Sequence, residues 1–230
     1  MTRALAALTA LALGASPAQA QSREDRRLQA CRDVLHEFLG MKEDIPRDLL
    51  DKAECVAVVP SVKKFAFGFG GRWGKGAVSC RTEGGEGAWG PPLMISLGGG
   101  SFGIQIGGQA ADFVFLVMNP RGIDYLLKSQ FTLGADASVA AGPVGRRGEA
   151  ATDLRFRAEI LSWSRTRGLF AGLSIEGAVV KQDEDANREV YGERVNPKEL
   201  LLFWGQPMPD AARGFVTLLQ EASPRQVAGR

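Results

Sequence analysis

Histidine is nearly absent from this chain of 230 residues, and His36 is the single one. With three dispersed cysteines, one histidine yields none of the ligand spacings of a zinc site. The scarcity also rules out a Ser-His-Asp triad in hydrolase order. Gly99-Gly-Ser-Phe-Gly103 matches the G-x-S-x-G pattern, but that pattern needs a strand-to-helix turn and a later histidine. His36 lies upstream, and Phe102 to Ile106 alternate as a strand. The same alternation removes the helix that a dinucleotide fingerprint at Gly98–Gly103 would require. Asp183-Glu-Asp185 lacks the alternation and the glycine of a calcium loop. Asp112, Asp136 and Asp153 interrupt apolar sequence and read as turn caps or as partners of arginines such as Arg155 and Arg157. We therefore expect no catalytic residue, metal or cofactor, and no enzymatic activity.

A strong charge imbalance is missing as well. Twenty-eight basic residues against 26 acidic ones leave a formal charge of +2, which argues against bulk nucleic-acid binding. Long apolar runs are missing after the first 20 residues; Phe113 to Met118 stops at Asn119-Pro120, so no transmembrane helix is expected. Before that point, Arg3, the small and apolar run Ala4 to Ala15, and Ala18-Gln-Ala20 have the form of a secretory signal. The expectation is cleavage after Ala20 and export of residues 21–230, as one domain, to the periplasm or beyond. Leu28-Gln-Ala-Cys31 looks like a lipobox, but five charged residues, Arg23 to Arg27, separate it from the apolar run, and lipidation is not expected.

Three cysteines in an exported chain imply one disulfide and one thiol. Cys55 opens the run Val56-Ala-Val-Val59 and Cys80 closes a second run, in a segment that should fold back on itself. Cys55–Cys80 is the favoured pairing, with Cys31–Cys55 its competitor.

What is abundant is glycine, 29 residues, and alternation. Residues 23–39 have helical periodicity, with Leu28, Cys31, Leu35, Phe38 and Leu39 on one stripe and Gly40 as a cap. A short helix should start at Pro46. From residue 55 the period becomes two. Strands are expected from Cys55, turning near Gly71-Arg-Trp-Gly74 and returning to Cys80. Further strands are expected at 93–97, 102–106, 112–118, 131–141, 152–163 and 168–181, with Ser164 to Gly168 as a turn. Helices should follow Pro120, Asp183, Pro197 and Pro209. The fold class is α+β: a strongly curved, mainly antiparallel sheet over about 55–181, curled toward a barrel. Helices flank it at 23–39 and about 183–222. Glycines inside strands point to curvature or close backbone approach.

The remaining candidates are cationic. Lys63, Lys64, Arg72 and Lys75, interleaved with Phe65, Phe67 and Trp73, should lie at neighbouring strand ends. Arg23, Arg26, Arg27 and Arg32 decorate the first helix. Basic groups beside aromatics suit an anionic lipid surface; the bland alternative is a solvated hairpin.

Several segments occurring in order resemble the SYLF family of lipid-binding domains. They are Pro60-Ser-Val-Lys-Lys64, Gly70-Gly-Arg-Trp-Gly-Lys-Gly76, Gly99 to Gly103, Leu116 to Asn119, Leu133 to Asp136, Ala141 to Arg146 and Arg167 to Gly172. The resemblance runs from about Ile45 to Phe203. It implies non-enzymatic binding of phosphoinositides or other anionic phospholipids, and it assigns that role in relatives to an amphipathic helix at the domain start, here Arg23 to Leu39. The lipid-binding set is then Arg23, Arg26, Arg27, Arg32, Lys63, Lys64, Arg72, Trp73 and Lys75. Fungal relatives bind actin beside an SH3 domain; on the reading of an exported, bacterial-type single domain, actin is not expected as a partner. The alternative function is a scaffold for another envelope protein.

Overall fold

The computed structural model describes residues 21–40, 45–142, 158–166, 169–170 and 175–224, with side chains at 66–69, 101–108 and 169–170 outside the description. The signal segment 1–20, Asp153, Arg155, Arg157 and the strand expected to begin at 152 therefore lie outside it.

Two strands dominate. β1, Cys55–Cys80, runs 26 residues, and β2, Leu93–Val117, pairs with it antiparallel from Cys55↔Val117 to Val78↔Leu93. A straight strand of that length would span roughly 85 Å. Instead, the Cα atoms of Cys55 and Cys80 are 3.9 Å apart and their sulfurs are bonded. The ribbon has doubled over, with an elbow near Ala66–Gly68, where the register slips.

Glycine makes this doubling feasible. The two halves of β1 cross so closely that a Cβ on Gly76 would lie 2.0 Å from the Val58 carbonyl oxygen. One on Gly74 would lie 2.7 Å from Val62 Cγ2. The turn expected at Gly71–Gly74 is thus not a turn. Neither glycine has the positive φ that a tight hairpin demands. Gly71 instead pairs with Gly100, and Gly74 with Leu97, inside a continuous ladder. For the same reason the three strands expected at 93–97, 102–106 and 112–118 are one. The true connection is 81–92, where Glu83, Gly84 and Gly85 all have positive φ.

The rest of the sheet is added to β2. β5, Ile160–Thr166, pairs along its Asp112–Val117 half, and β7, Val179–Gln182, along Ile95–Gly98. β3, Gln130–Thr132, pairs with β7; β4, Val139–Ala141, lies parallel to β5; β6, Leu169–Phe170, pairs back on β5. The long strand expected at 131–141 is interrupted at Gly134, whose φ of 84° turns the chain, and Asp136 accepts the Thr132 N–H there. Of the strand expected at 168–181, Leu169–Phe170 and Val179–Gln182 are strands and 175–178 is not, while 168 and 171–174 lie outside the described residues. The sheet is mixed, mainly antiparallel, and curled into a half-barrel.

Alternation along β1 and β2 divides the apolar residues between two cores. Cys55, Ala57, Val59, Val62, Val78 and Cys80 share one with Phe113, Phe115 and the short helices α3, Pro120–Leu126, and α5, Pro197–Phe203. Since Cys55 and Cys80 bond across the fold, this is the inner face. Val56, Val58, Ala77, Val114 and Leu116 meet α1, Arg23–Leu39, α2, Arg47–Asp51, and α6, Asp210–Ala222, on the other. α1 starts in a capping box between Ser22 and Asp25, and α4, Glu184–Tyr191, is capped by Asp183 and ends at left-handed Gly192.

Candidate anionic-ligand site at the ribbon elbow

The inner face of β1 is apolar near the disulfide and becomes polar toward the elbow. Past Val62 the next inward residue is Lys64; on the returning half, Arg72 precedes Gly74. The two cations line one pocket of about 30 Å³, with Gln109 from β2 beside them and Val62, Ala111, Phe113 and Ile175 as its apolar walls. Burial lowers the Arg72 guanidinium from its ordinary value. On the outer face of the same stretch, Phe65 is 63% exposed and Trp73 54%. Lys63 is also exposed, and no salt bridge among the described residues engages Lys63 or Lys64.

Lys75 and Arg27 have different surroundings. Lys75 Nζ lies 2.6 Å from Asp183 Oδ2, and Arg27 donates to the same oxygen at 3.1 Å and to Glu24. Burial opposes ionisation of Asp183, but Lys75 and Arg27 outweigh it and hold the carboxyl below its usual range. These cations clamp the start of α1 to β1 and to the α4 cap. At the other end of α1, Arg165 bridges Glu37 and Asp112, and Asp112 also accepts the Ser61 N–H. Asp112 is therefore an ion-pair partner of Arg165; Arg155 and Arg157 lie outside the described residues.

On α1 itself, Arg23, Arg26 and Arg32 are exposed, with Arg23 against Glu24, Arg26 on the Gln21 carbonyl, and the Arg32 stem over Gly214. The apolar stripe of that helix is fully used: Leu28, Cys31, Leu35 and Phe38 are 0% exposed. Peeling it off would cost about 1.5–3 kcal/mol per large side chain, a total comparable with the whole stability of a typical domain. The stripe is core, and only the polar face of α1 is open to a ligand. Cys31 is a buried thiol on the Val58 carbonyl, its pKa pushed up to about 12 by burial.

Sequence reasoning missed Gln109. Its only signal is parity: it shares a face with Ala111 and Phe113, legible once β2 is known to be unbroken. A second exposed apolar patch, at the far end of the ribbon, was also missed. Phe203 is 68% and Trp204 42% exposed, and Trp204, Met208 and Val216 border a shallow depression over Trp89.

A family model described as "Ysc84: Las17-binding protein actin regulator" matches residues 98–222. The chain belongs to this family, which is the SYLF family. It is 37% identical over 166 residues to the SH3 domain-containing protein PJ696.02 of Schizosaccharomyces pombe, covering 71% of this chain and 38% of that protein. It is 33% identical over 177 residues to LAS seventeen-binding protein 3 of Saccharomyces cerevisiae, covering 76% and 38%. To the human SH3 domain-containing YSC84-like protein 1 it is 32% identical over 193 residues, covering 81% and 55%. The chain thus spans between two-fifths and just over half of these relatives.

These names correct one expectation. Actin was set aside as a partner, yet the family is described as an actin regulator and its yeast members as Las17-binding. That expectation rests on an export signal in residues 1–20, outside the described structure, and on the reading as a lone domain. Neither bears on what the matched region, residues 98–222, contacts.

Proposed function

We propose that this protein binds anionic phospholipid surfaces without chemical turnover, presenting the ribbon elbow to the headgroups. The observation that carries the reading is the elbow itself. One bent strand gathers Lys63, Lys64 and Arg72 beside two large aromatics more than half exposed. Each basic side chain near an anionic leaflet contributes about 1 kcal/mol, and Trp prefers the membrane–water interface. Arg23, Arg26 and Arg32 on the outer face of α1 add to the positive field at longer range.

The lipid stays in its bilayer on this reading. The inner face is filled by Val59, Val62, Phe113 and Phe115, and a pocket of about 30 Å³ does not admit an acyl chain. Co-sedimentation with vesicles tests the reading. Acidic vesicles should pellet the protein in low salt, and binding should fade through physiological salt, where the Debye length is about 8 Å. Equal indifference to acidic and neutral vesicles in low salt would defeat it. In this family's context, a lipid-bound protein is also a means of localising whatever actin-regulating partner it holds.

A further inference from the structure

We infer that the aromatic patch at the base of the ribbon is a docking groove for a basic amphipathic helix of a protein partner. The groove lies at the opposite end of the molecule from the elbow, and its occupancy does not depend on lipid.

Two elements build it. One wall is α6, where Arg213, Val216, Thr217 and Gln220 recur at three- and four-residue steps and so share one stripe. From Arg213 to Gln220 that stripe rises about 10 Å, two helical turns. The other wall is the 204–209 connection, which contributes Trp204 and Met208, and buried Trp89 is the floor. The space between them, about 400 Å³, is open to solvent. Beside it stands Phe203, more exposed than Phe65 or Trp73. Large apolar side chains grouped on a surface mark an interaction site more often than single ones do.

The backbone of Trp204 carries a second mark. It ends α5 in the left-handed region, with φ 53° and ψ 42°, which is costly for a bulky side chain and natural for glycine. Gly205 is the next residue, so a glycine cap is one position away. The chain instead keeps strain at Trp204, whose indole lines the groove and remains 42% exposed. Strain held at an accessible residue gathers at binding sites rather than in packing.

Charge selects the occupant. Asp210, Glu221 and Glu86 are exposed within three residues of the lining side chains. Glu193 accepts from Gln206, and Glu199 packs against Gly205. The cations on the same rim are Arg213, paired with Asp210 at 2.8 Å, Lys198 beside Glu199, and Arg32 over Gly214. Carboxylates are in surplus. Two turns of a helix with an apolar face flanked by lysine or arginine match both the stripe and the charge, whereas an anionic bilayer is repelled.

The test titrates the full chain at physiological salt with three dye-labelled synthetic peptides of equal length, read by anisotropy. One is an amphipathic leucine–lysine helix, one its leucine–glutamate counterpart, and one a scrambled leucine–lysine peptide without an apolar face. Wild type should bind the first saturably and at least about tenfold more tightly than either control. Trp204→Gly should weaken that binding at least about tenfold while its melting temperature holds or rises, because glycine relieves the left-handed cap. Glu86→Lys with Glu221→Lys should weaken binding about threefold, and Arg213→Glu should strengthen it by a similar factor. If Trp204→Gly melts lower than wild type, the charge variants, all at exposed positions, decide alone: opposite shifts support the groove and no shift overturns it. Absence of binding by wild type, equal binding of either control, or undiminished binding by a stably folded Trp204→Gly would also overturn it. Quenching of Trp204 by acidic vesicles with brominated acyl chains would make this face a membrane surface and defeat the proposal.

Discussion

The two ends of the long ribbon use the same residue types for opposite purposes. At the base, charge is consumed. Arg81 donates to the Ser223 carbonyl at 2.9 Å, lies 4.3 Å from the centre of the Trp89 ring, and faces Asp51 and Glu54. Along the same returning half, Lys75 is committed to Asp183 together with Arg27 from α1. At the elbow, Lys63 and Lys64 have no ion pair among the described residues, and Arg72 opens on a pocket. Base cations hold the fold, and Lys63 and Lys64 at the elbow remain available to a ligand. A count of lysines and arginines cannot separate the two classes; their partners can.

The contrast can be broken most forcefully at the base. Gly76→Ala puts a methyl group against the Val58 carbonyl, a backbone atom that cannot move without reopening the doubled strand. Overpacking of this severity should cost about 3 kcal/mol or more, read as a lower urea midpoint. Asp183→Asn should come next, at about 2 kcal/mol, because it leaves buried Arg27 and half-buried Lys75 with less compensation. The same carboxyl sets a pH dependence. Its folded pKa is depressed, so its stabilisation is complete above the unfolded value of about 3.9 and is lost as pH falls through the lower folded value. The stability gap between wild type and Asp183→Asn should therefore be constant near neutrality and close in strong acid. The smallest effect on stability belongs to the elbow: Lys63→Gln with Lys64→Gln should change it by less than about 0.5 kcal/mol. That double variant should nonetheless weaken acidic-vesicle binding by roughly thirtyfold, two basic groups at about 1 kcal/mol each. Equal stability losses at base and elbow would erase the distinction.

How much of this was legible depended on range. α1 could be read to the residue, because its stripe and its Gly40 cap are local features. Asp183 and Gly192 marked the limits of α4 equally well. Cys55–Cys80 followed from run ends in a segment that returns on itself. The elbow did not, because glycine signals a tight turn and a bent strand alike, and only the φ of Gly71 and Gly74 separates them. The role of Lys75 was hidden for another reason: its partner lies 108 residues away. Gln109 became visible only when β2 proved continuous and fixed which side chains face inward.

Tryptophan fluorescence gives the most direct test of which end meets the membrane. Trp89 and Trp163 are buried, whereas Trp73 is at the elbow and Trp204 beside the base. On acidic vesicles carrying brominated acyl chains, emission should be quenched in wild type and in Trp204→Phe but not in Trp73→Phe. Quenching that survives in Trp73→Phe and disappears in Trp204→Phe would place the base against the bilayer and contradict the account.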